Sequence, residues 1–246
     1  HDRPREKYRI SRDGRALRER VFEDAAMISC NHDLHIVLPV RGLAEGKSRL
    51  ASVLKPAQRV ELNQKLLVHT LDVLRAWRGD LAQCIVVSAC ERVLGIARAA
   101  SAVTVIEPGA SGLNAAVTLG AAQAAHSGAR RVLVLPCDLP LLTPQALASL
   151  IERAPPADVA LAPDLSGSGT NALIIDVAHA FEFQFGPDSF ALHSRSAAAA
   201  GARVWVHCAP EFAFDLDTPD DLERWRRTPD TCGIDKHQEA GSEVIL

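Results

Sequence analysis

Apolar and polar positions alternate between two periods along most of the chain. Short runs that are apolar throughout are separated by longer stretches with apolar residues three and four apart. The runs predict strands at His35–Val40, Cys84–Ser88, Val103–Ile106, Val132–Leu135, Val159–Ala162, Ala172–Asp176 and Val204–His207. The stretches predict helices over Ala57–Trp77, Glu91–Ala99, Leu113–His126, a segment to Arg153, Ser189–Ala200 and a last one carrying Leu222 and Trp225. Punctuation supports the boundaries. Pro56 suits a first helical turn, Thr143-Pro144 and Thr218-Pro219 are cap and first-turn pairs, and Gly128 and Gly201 follow helix ends. Strands without a polar face, alternating with helices, predict an α/β fold: a mostly parallel sheet covered by helices on both faces. In such sheets ligands bind beyond the carboxyl ends of the strands, so the residues just after each strand carry the candidate chemistry.

Three segments organise the chain. Residues 1–30 are dense in charge and lack an apolar stripe, which predicts an appended or upstream arm with at most one short helix near Arg15–Phe22. Residues 31–228 form the predicted domain, and residues 229–246 a polar tail. The net charge of −3 and the small aromatic share argue against a nucleic-acid grip or a base-stacking platform. No apolar run approaches the roughly 18 residues of a membrane span, so no membrane is expected. Six cysteines without a C-x-x-C pair predict free thiols in a reducing cytoplasm.

After the first strand comes Pro39-Val40-Arg41-Gly42-Leu43-Ala44-Glu45-Gly46-Lys47-Ser48-Arg49-Leu50. Gly42 and Gly46 let backbone amides approach phosphate oxygens, and Arg41, Lys47 and Arg49 can neutralise a triphosphate. It is neither a Walker loop nor G-x-G-x-x-G, and a basic surface loop would look the same. After the fourth strand Asp138, between Pro136 and Pro140, suits a divalent metal or an Asx turn before the Thr143 helix. In Phe214-Asp215-Leu216-Asp217-Thr218 an extended backbone puts Asp215 and Asp217 on one side and Leu216 on the other. Those aspartates either share a cation with Asp138 or serve solvent and the helix cap. Gly112 and Asn114 open the Ala-rich helix, where Asn114 suits a base, a ribose or a cap. Ser189 with the first amides of its helix suits a phosphate or carboxylate; otherwise Asp188 and Ser189 cap the helix. No H-E-x-x-H or G-x-S-x-G is present, and the histidines form no metal pattern.

Taken in order, PVRGLAEGKSRL, SGLNAA, LPCDLPLL, GSGTNAL, FGPDSFALH and DLDTPDDL resemble the 2-phospho-L-lactate guanylyltransferase family of coenzyme F-420 biosynthesis, from about His35 to Arg224. The resemblance implies a Rossmann-like nucleotidyltransferase (GT-A-like) fold. It implies transfer of GMP from GTP, with Mg2+, to 2-phospholactate, phosphoenolpyruvate or 3-phosphoglycerate, releasing pyrophosphate. It also implies a product passed to a downstream transferase. Position by position, Asp138 and Asp215 match metal ligands, with Asp217 beside them. Thr170, Gly186 and Ser189 match contacts to the phospho-acid. Lys47 and Arg49 match the basic loop at the triphosphate, and the reading of the loops themselves adds Arg41, Gly42, Gly112 and Asn114 around the nucleotide. Two alternatives stand beside it. Other nucleotidyltransferases of this architecture, of the molybdopterin or sugar-phosphate kind, usually carry a glycine-rich first loop where Pro39-Val40-Arg41 stands. A non-catalytic nucleotide-binding protein would need no metal pair.

Overall fold

The computed structural model describes residues 33–109, 112–154, 158–178 and 181–228. The expected arm, the tail, Cys30 and Cys232 lie outside them. The strands are β1 (Leu34–Pro39), β2 (Cys84–Ser88), β3 (Val103–Ile106), β4 (Arg131–Val134), β5 (Val159–Pro163), β6 (Thr170–Asp176) and β7 (Val204–Val206). The helices are α1 (Pro56–Arg78), α2 (Glu91–Ala99), α3 (Leu113–His126), α4 (Pro144–Arg153), α5 (Ser189–Ala199), α6 (Pro210–Ala213) and α7 (Pro219–Arg227), with a 3-10 turn at Ser48–Ser52. The sheet order is β3-β2-β1-β4-β6-β5-β7. All strands run one way except β6, which is antiparallel to both β4 and β5. The α/β class with a mostly parallel sheet therefore stands. The reversal has a local cause: residues 164–169 join β5 to β6 without a helix, and a parallel crossover needs one.

The central strands explain the two helical layers. Ile36 and Leu38 of β1 and Leu133 of β4 face Leu67, Leu71, Leu147 and Leu150 of α1 and α4. Val37, Val132 and Val134 face the other way, toward Ala116 and Val117 of α3 and Ala197 of α5. Helix α3 lies close because Gly120 has no side chain; a Cβ there would collide with Val37 and press on Val87. Gly120→Ala is expected to cost about 1–3 kcal/mol despite alanine's better helix propensity, because overpacking outweighs it. A lower urea midpoint checks this.

A third, smaller cluster positions the site. Leu50 and Leu54 beside the 3-10 turn, Leu62 and Leu66 of α1, Phe214 and Leu216, and Leu222 and Trp225 of α7 pack together. This cluster draws the loop after β1 to the segment before α7, 170 residues apart in sequence. Burying two fully enclosed leucines and a tryptophan here stabilises the junction by several kcal/mol, at roughly 25 cal/mol per Å² of apolar surface.

Candidate active site

The loop after β1 is folded tightly and tied down. The amides of Glu45 and Gly46 donate to the Gly42 carbonyl at 3.0 and 3.1 Å, and Leu43 is buried beneath. Asn63 Nδ2 of α1 donates to the Leu43 carbonyl at 2.6 Å, and a Cβ on Gly46 would lie 2.8 Å from that nitrogen. A side chain at Gly46 would therefore press on the Asn63 amide that holds the loop. Lys47 ends the loop in the left-handed region, with φ 57°. Its side chain turns inward, only 8% exposed.

Lys47 Nζ donates to Asp138 Oδ2 at 2.8 Å and to Asp217 Oδ1 at 2.7 Å. Two other local features place these carboxylates. The Leu216 amide donates to the Asp138 carbonyl at 3.0 Å, laying the segment before α7 alongside the end of β4. Leu216 is buried in the third cluster, so Asp215 and Asp217 fall on the opposite side, as the extended pattern predicts. Neither aspartate is consumed by capping. Thr143 caps α4 by accepting from the Ala146 amide, and Thr218 with Asp221 forms the capping box of α7. Of the alternatives open in the sequence, the cap and turn roles of Asp138 and Asp217 give way to the ion pairs.

The electrostatics follow from this crowding. Burial works to lower the Lys47 pKa, but Asp138 and Asp217 overcome it and hold the ammonium above its ordinary value. Asp215 is pushed up to about 6, first by burial and then by the charge of Asp138, with Lys47 opposing. Two carboxylates thus flank one ammonium, a third lies near enough to feel their charges, and the cluster has surplus negative charge. Among the described residues no three Asp, Glu, His or Cys side chains converge as a ready metal cage, so the expected set of Asp138, Asp215 and Asp217 is not pre-assembled. The donor set still fits Mg2+, which takes one or two carboxylates and completes its shell with water and phosphate oxygens.

These groups line a cavity of about 530 Å³ beyond the carboxyl ends of β1 and β4, walled by Arg41, Gly42, Lys47, Arg49, Asp138, Gly186 and Asp217 among others. Arg41 and Arg49 are exposed and make no ion pair among the described residues. A second cavity of about 300 Å³ shares the Arg41, Gly42 and Leu113 wall and extends past β2 and β3 to Ala89, Glu107 and Gly112. Cys137 lines the larger cavity, but burial and then Asp138 push its thiol up, so it is an unreactive wall. The four cysteines described, Cys84, Cys90, Cys137 and Cys208, are free.

The expected acid-side residues form their own group. Thr170 opens β6 and Ser189 opens α5, and both are buried. The Phe190 amide donates to the Ser168 carbonyl at 3.0 Å, tying the two loops together, and the Ser189 amide donates to the Gly186 carbonyl at 3.2 Å within the second loop. Asp188 holds the cap position at φ 57° without a side-chain cap bond. Gly186 reaches the larger cavity wall, whereas Thr170, Ser189 and Asp215 do not line it. Asn114, expected at the nucleotide, lines neither cavity. Its amide accepts from the Phe185 amide at 2.7 Å and donates to the Phe185 carbonyl at 3.1 Å, fixing the 185–189 loop to α3. Three residues of this region lie outside the sequence expectations: Asn63, Glu107 and His193. Only His193 had a usable signal, its i,i+4 spacing from Ser189.

The sheet has a fold that solved nucleotidyltransferases share. A nucleotidyl transferase from Methanothermobacter has the same fold, with a TM-score of 0.56 at 17% identity over 78% of this chain and 95% of that one. The chain belongs to the family described as guanylyl transferase CofC like, whose model matches residues 34–225. It is 42% identical over 189 residues to the phosphoenolpyruvate guanylyltransferase of Rubrobacter xylanophilus, covering 76% of this chain and 91% of that protein. It is 37% identical over 199 residues to the 3-phospho-D-glycerate guanylyltransferase of Phenylobacterium zucineum, covering 80% and 90%. The protein is accordingly an enzyme of the nucleotidyltransferase class. No described helix is long and apolar enough to cross a membrane.

Proposed function

We propose that the enzyme transfers GMP from GTP to a phosphorylated three-carbon acid and releases pyrophosphate, in coenzyme F-420 biosynthesis. The observation that carries this reading is Lys47 held between Asp138 and Asp217 at the rim of the sheet, in a cavity also walled by Arg41 and Arg49. The names of the relatives supply phosphoenolpyruvate and 3-phosphoglycerate as acids, and the motif resemblance adds 2-phospholactate. A phosphate oxygen of the acid attacks the α-phosphorus of GTP. The bond from that phosphorus to the bridging oxygen breaks, and the pair of electrons leaves with pyrophosphate. The nucleophile is already ionised at neutral pH, so no general base is required. Lys47, Arg41 and Arg49 neutralise the triphosphate, and Thr170, Gly186 and Ser189 hold the acid in line. Asp138, with Asp215 and Asp217, would hold Mg2+, which supplies further charge neutralisation at the phosphates. A cytoplasmic setting and hand-over of the product to a downstream transferase complete the proposal.

The test is pyrophosphate release from GTP and Mg2+, run in parallel with the three acids and without acid. Release that depends on one acid is expected; release from none of them overturns the reading.

Within this reading the base occupies the 300 Å³ cavity, where Glu45 and Glu107 are the carboxylates on the wall. Guanine presents N1–H and its amino group side by side, a donor pair that one carboxylate accepts. Glu107→Gln is expected to narrow the preference for GTP over ITP, which lacks the amino group, by roughly tenfold. An unchanged GTP/ITP ratio in kcat/KM would remove Glu107 from base selection.

A further inference from the structure

His193 is a buried titratable group that the proposed chemistry leaves unused. It lies on α5 one turn beyond Ser189, fully enclosed, with the Phe185 ring 4.7 Å away edge-on and the Phe181 ring at 5.8 Å. Both ring nitrogens are engaged. The Gln184 backbone amide donates to Nε2 at 3.0 Å, and Thr170 Oγ1 lies 3.1 Å from Nδ1.

The first of these bonds fixes the tautomer. A backbone N–H only donates, so Nε2 carries the lone pair and the proton of the neutral ring sits on Nδ1. Nδ1–H then donates to Thr170 Oγ1, which is therefore an acceptor toward the histidine. Its own proton is left for another partner, and no described residue accepts it. Ser189, also buried, makes no side-chain hydrogen bond among the described residues. Two buried hydroxyls at the start of β6 and α5 are thus available as donors, and one of them is turned by a histidine.

We propose that His193 is a positioning residue for the phosphorylated acid: its Nδ1–H fixes the Thr170 hydroxyl so that the Thr170 O–H donates to the acid's anionic oxygens. The inference rests on the proposed function, because it takes Thr170 and Ser189 as the acid side of the site. Burial lowers the His193 pKa to about 4, which keeps the ring neutral and the Gln184 bond intact at working pH. An imidazolium would set two donors face to face at Nε2.

The test has two arms. In the full-length protein, long-range 1H–15N correlation of the histidine rings reports the tautomer directly, assigned with His193→Asn; Nδ1–H is expected, and Nε2–H overturns the proposal. In kinetics, His193→Ala and Thr170→Val are each expected to raise KM for the acid by roughly tenfold while KM for GTP moves less than about twofold. Their combination is expected to be no worse than either alone, because both remove the same donor. His193→Asn keeps a donor near the Nδ1 position and is expected to recover much of the loss. That variant also guards against a collapsed His193→Ala, whose fold is checked by circular dichroism. Equal rises in both KM values, or fully additive losses, overturn the proposal. Failure of the underlying reading shows earlier and differently, as no acid-dependent turnover by the unsubstituted enzyme, and it overturns the inference with it.

Discussion

Asp138→Asn should lower the rate of pyrophosphate release by roughly two to three orders of magnitude, the scale expected when one preorganised electrostatic partner is lost from a phosphoryl-transfer site. The carboxylate accepts from Lys47 at 2.8 Å and is the first charge acting on Asp215. An amide keeps the shape but gives up the charge, so it binds the ammonium weakly and a divalent ion more weakly still. The fold should survive. The bond that joins β4 to the segment before α7 uses the Asp138 backbone carbonyl, and Leu139 and Leu142 anchor the following turn in the core. The decisive measurement is a magnesium titration of pyrophosphate release, with circular dichroism as the control. A titration curve matching the unsubstituted enzyme would remove Asp138 from the ion's surroundings.

Lys47→Met is expected to abolish measurable turnover and also to destabilise the metal-free protein by about 1–3 kcal/mol. Breaking a buried ion pair costs more than this when both partners are enclosed, but Asp138 and Asp217 are 28% and 39% exposed, and water screens part of the repulsion left behind. Without the ammonium, Asp138, Asp215 and Asp217 face one another uncompensated. Millimolar-scale Mg2+ should then raise the melting midpoint of Lys47→Met more than that of the unsubstituted protein, while turnover stays lost. Lys47→Gly separates charge from backbone. It has the same electrostatic defect but relieves a left-handed residue, a relief of the order of 1 kcal/mol. Scanning fluorimetry with and without Mg2+ checks all three proteins. A midpoint indifferent to the loss of Lys47 would mean that the three aspartates do not repel in the folded state.

Much of the architecture was legible because its signals are local. The bounds of β2, α2, β3 and α3 follow from apolar runs and helical spacing alone. Thr143 and Thr218 announce the starts of α4 and α7 by the chemistry of their hydroxyls. Helix α6, four residues long, has no room for a period and passed unseen. The direction of β6 was written in the short Gly/Ser loop before it, but period alone says nothing about direction. At the site, the pairing of Asp215 with Asp217 across Leu216 follows from the two-residue repeat of extended chain. Asn114 shows the limit. A polar residue at a helix start beside a glycine loop looks the same in sequence whether or not its amide is bonded to a neighbouring backbone, as that of Asn114 is to Phe185. The partnership of His193 with Thr170 depends on a distance across the fold that no linear spacing encodes.

The ion pair between Lys47 and Asp217 also sets a schedule for biogenesis. During synthesis β1, β2, β3 and β4 emerge with the glycine loop, Glu107 and Asp138, so the walls that these elements give to the two cavities can form before the later elements arrive. Thr170 and Ser189 follow, and Asp217 arrives almost at the end of the described chain, with the leucine and tryptophan of α7 that press it into place. Until then Lys47 has one carboxylate instead of two. A chain stopped before Asp217 would therefore carry these cavity walls with Lys47 paired to Asp138 alone.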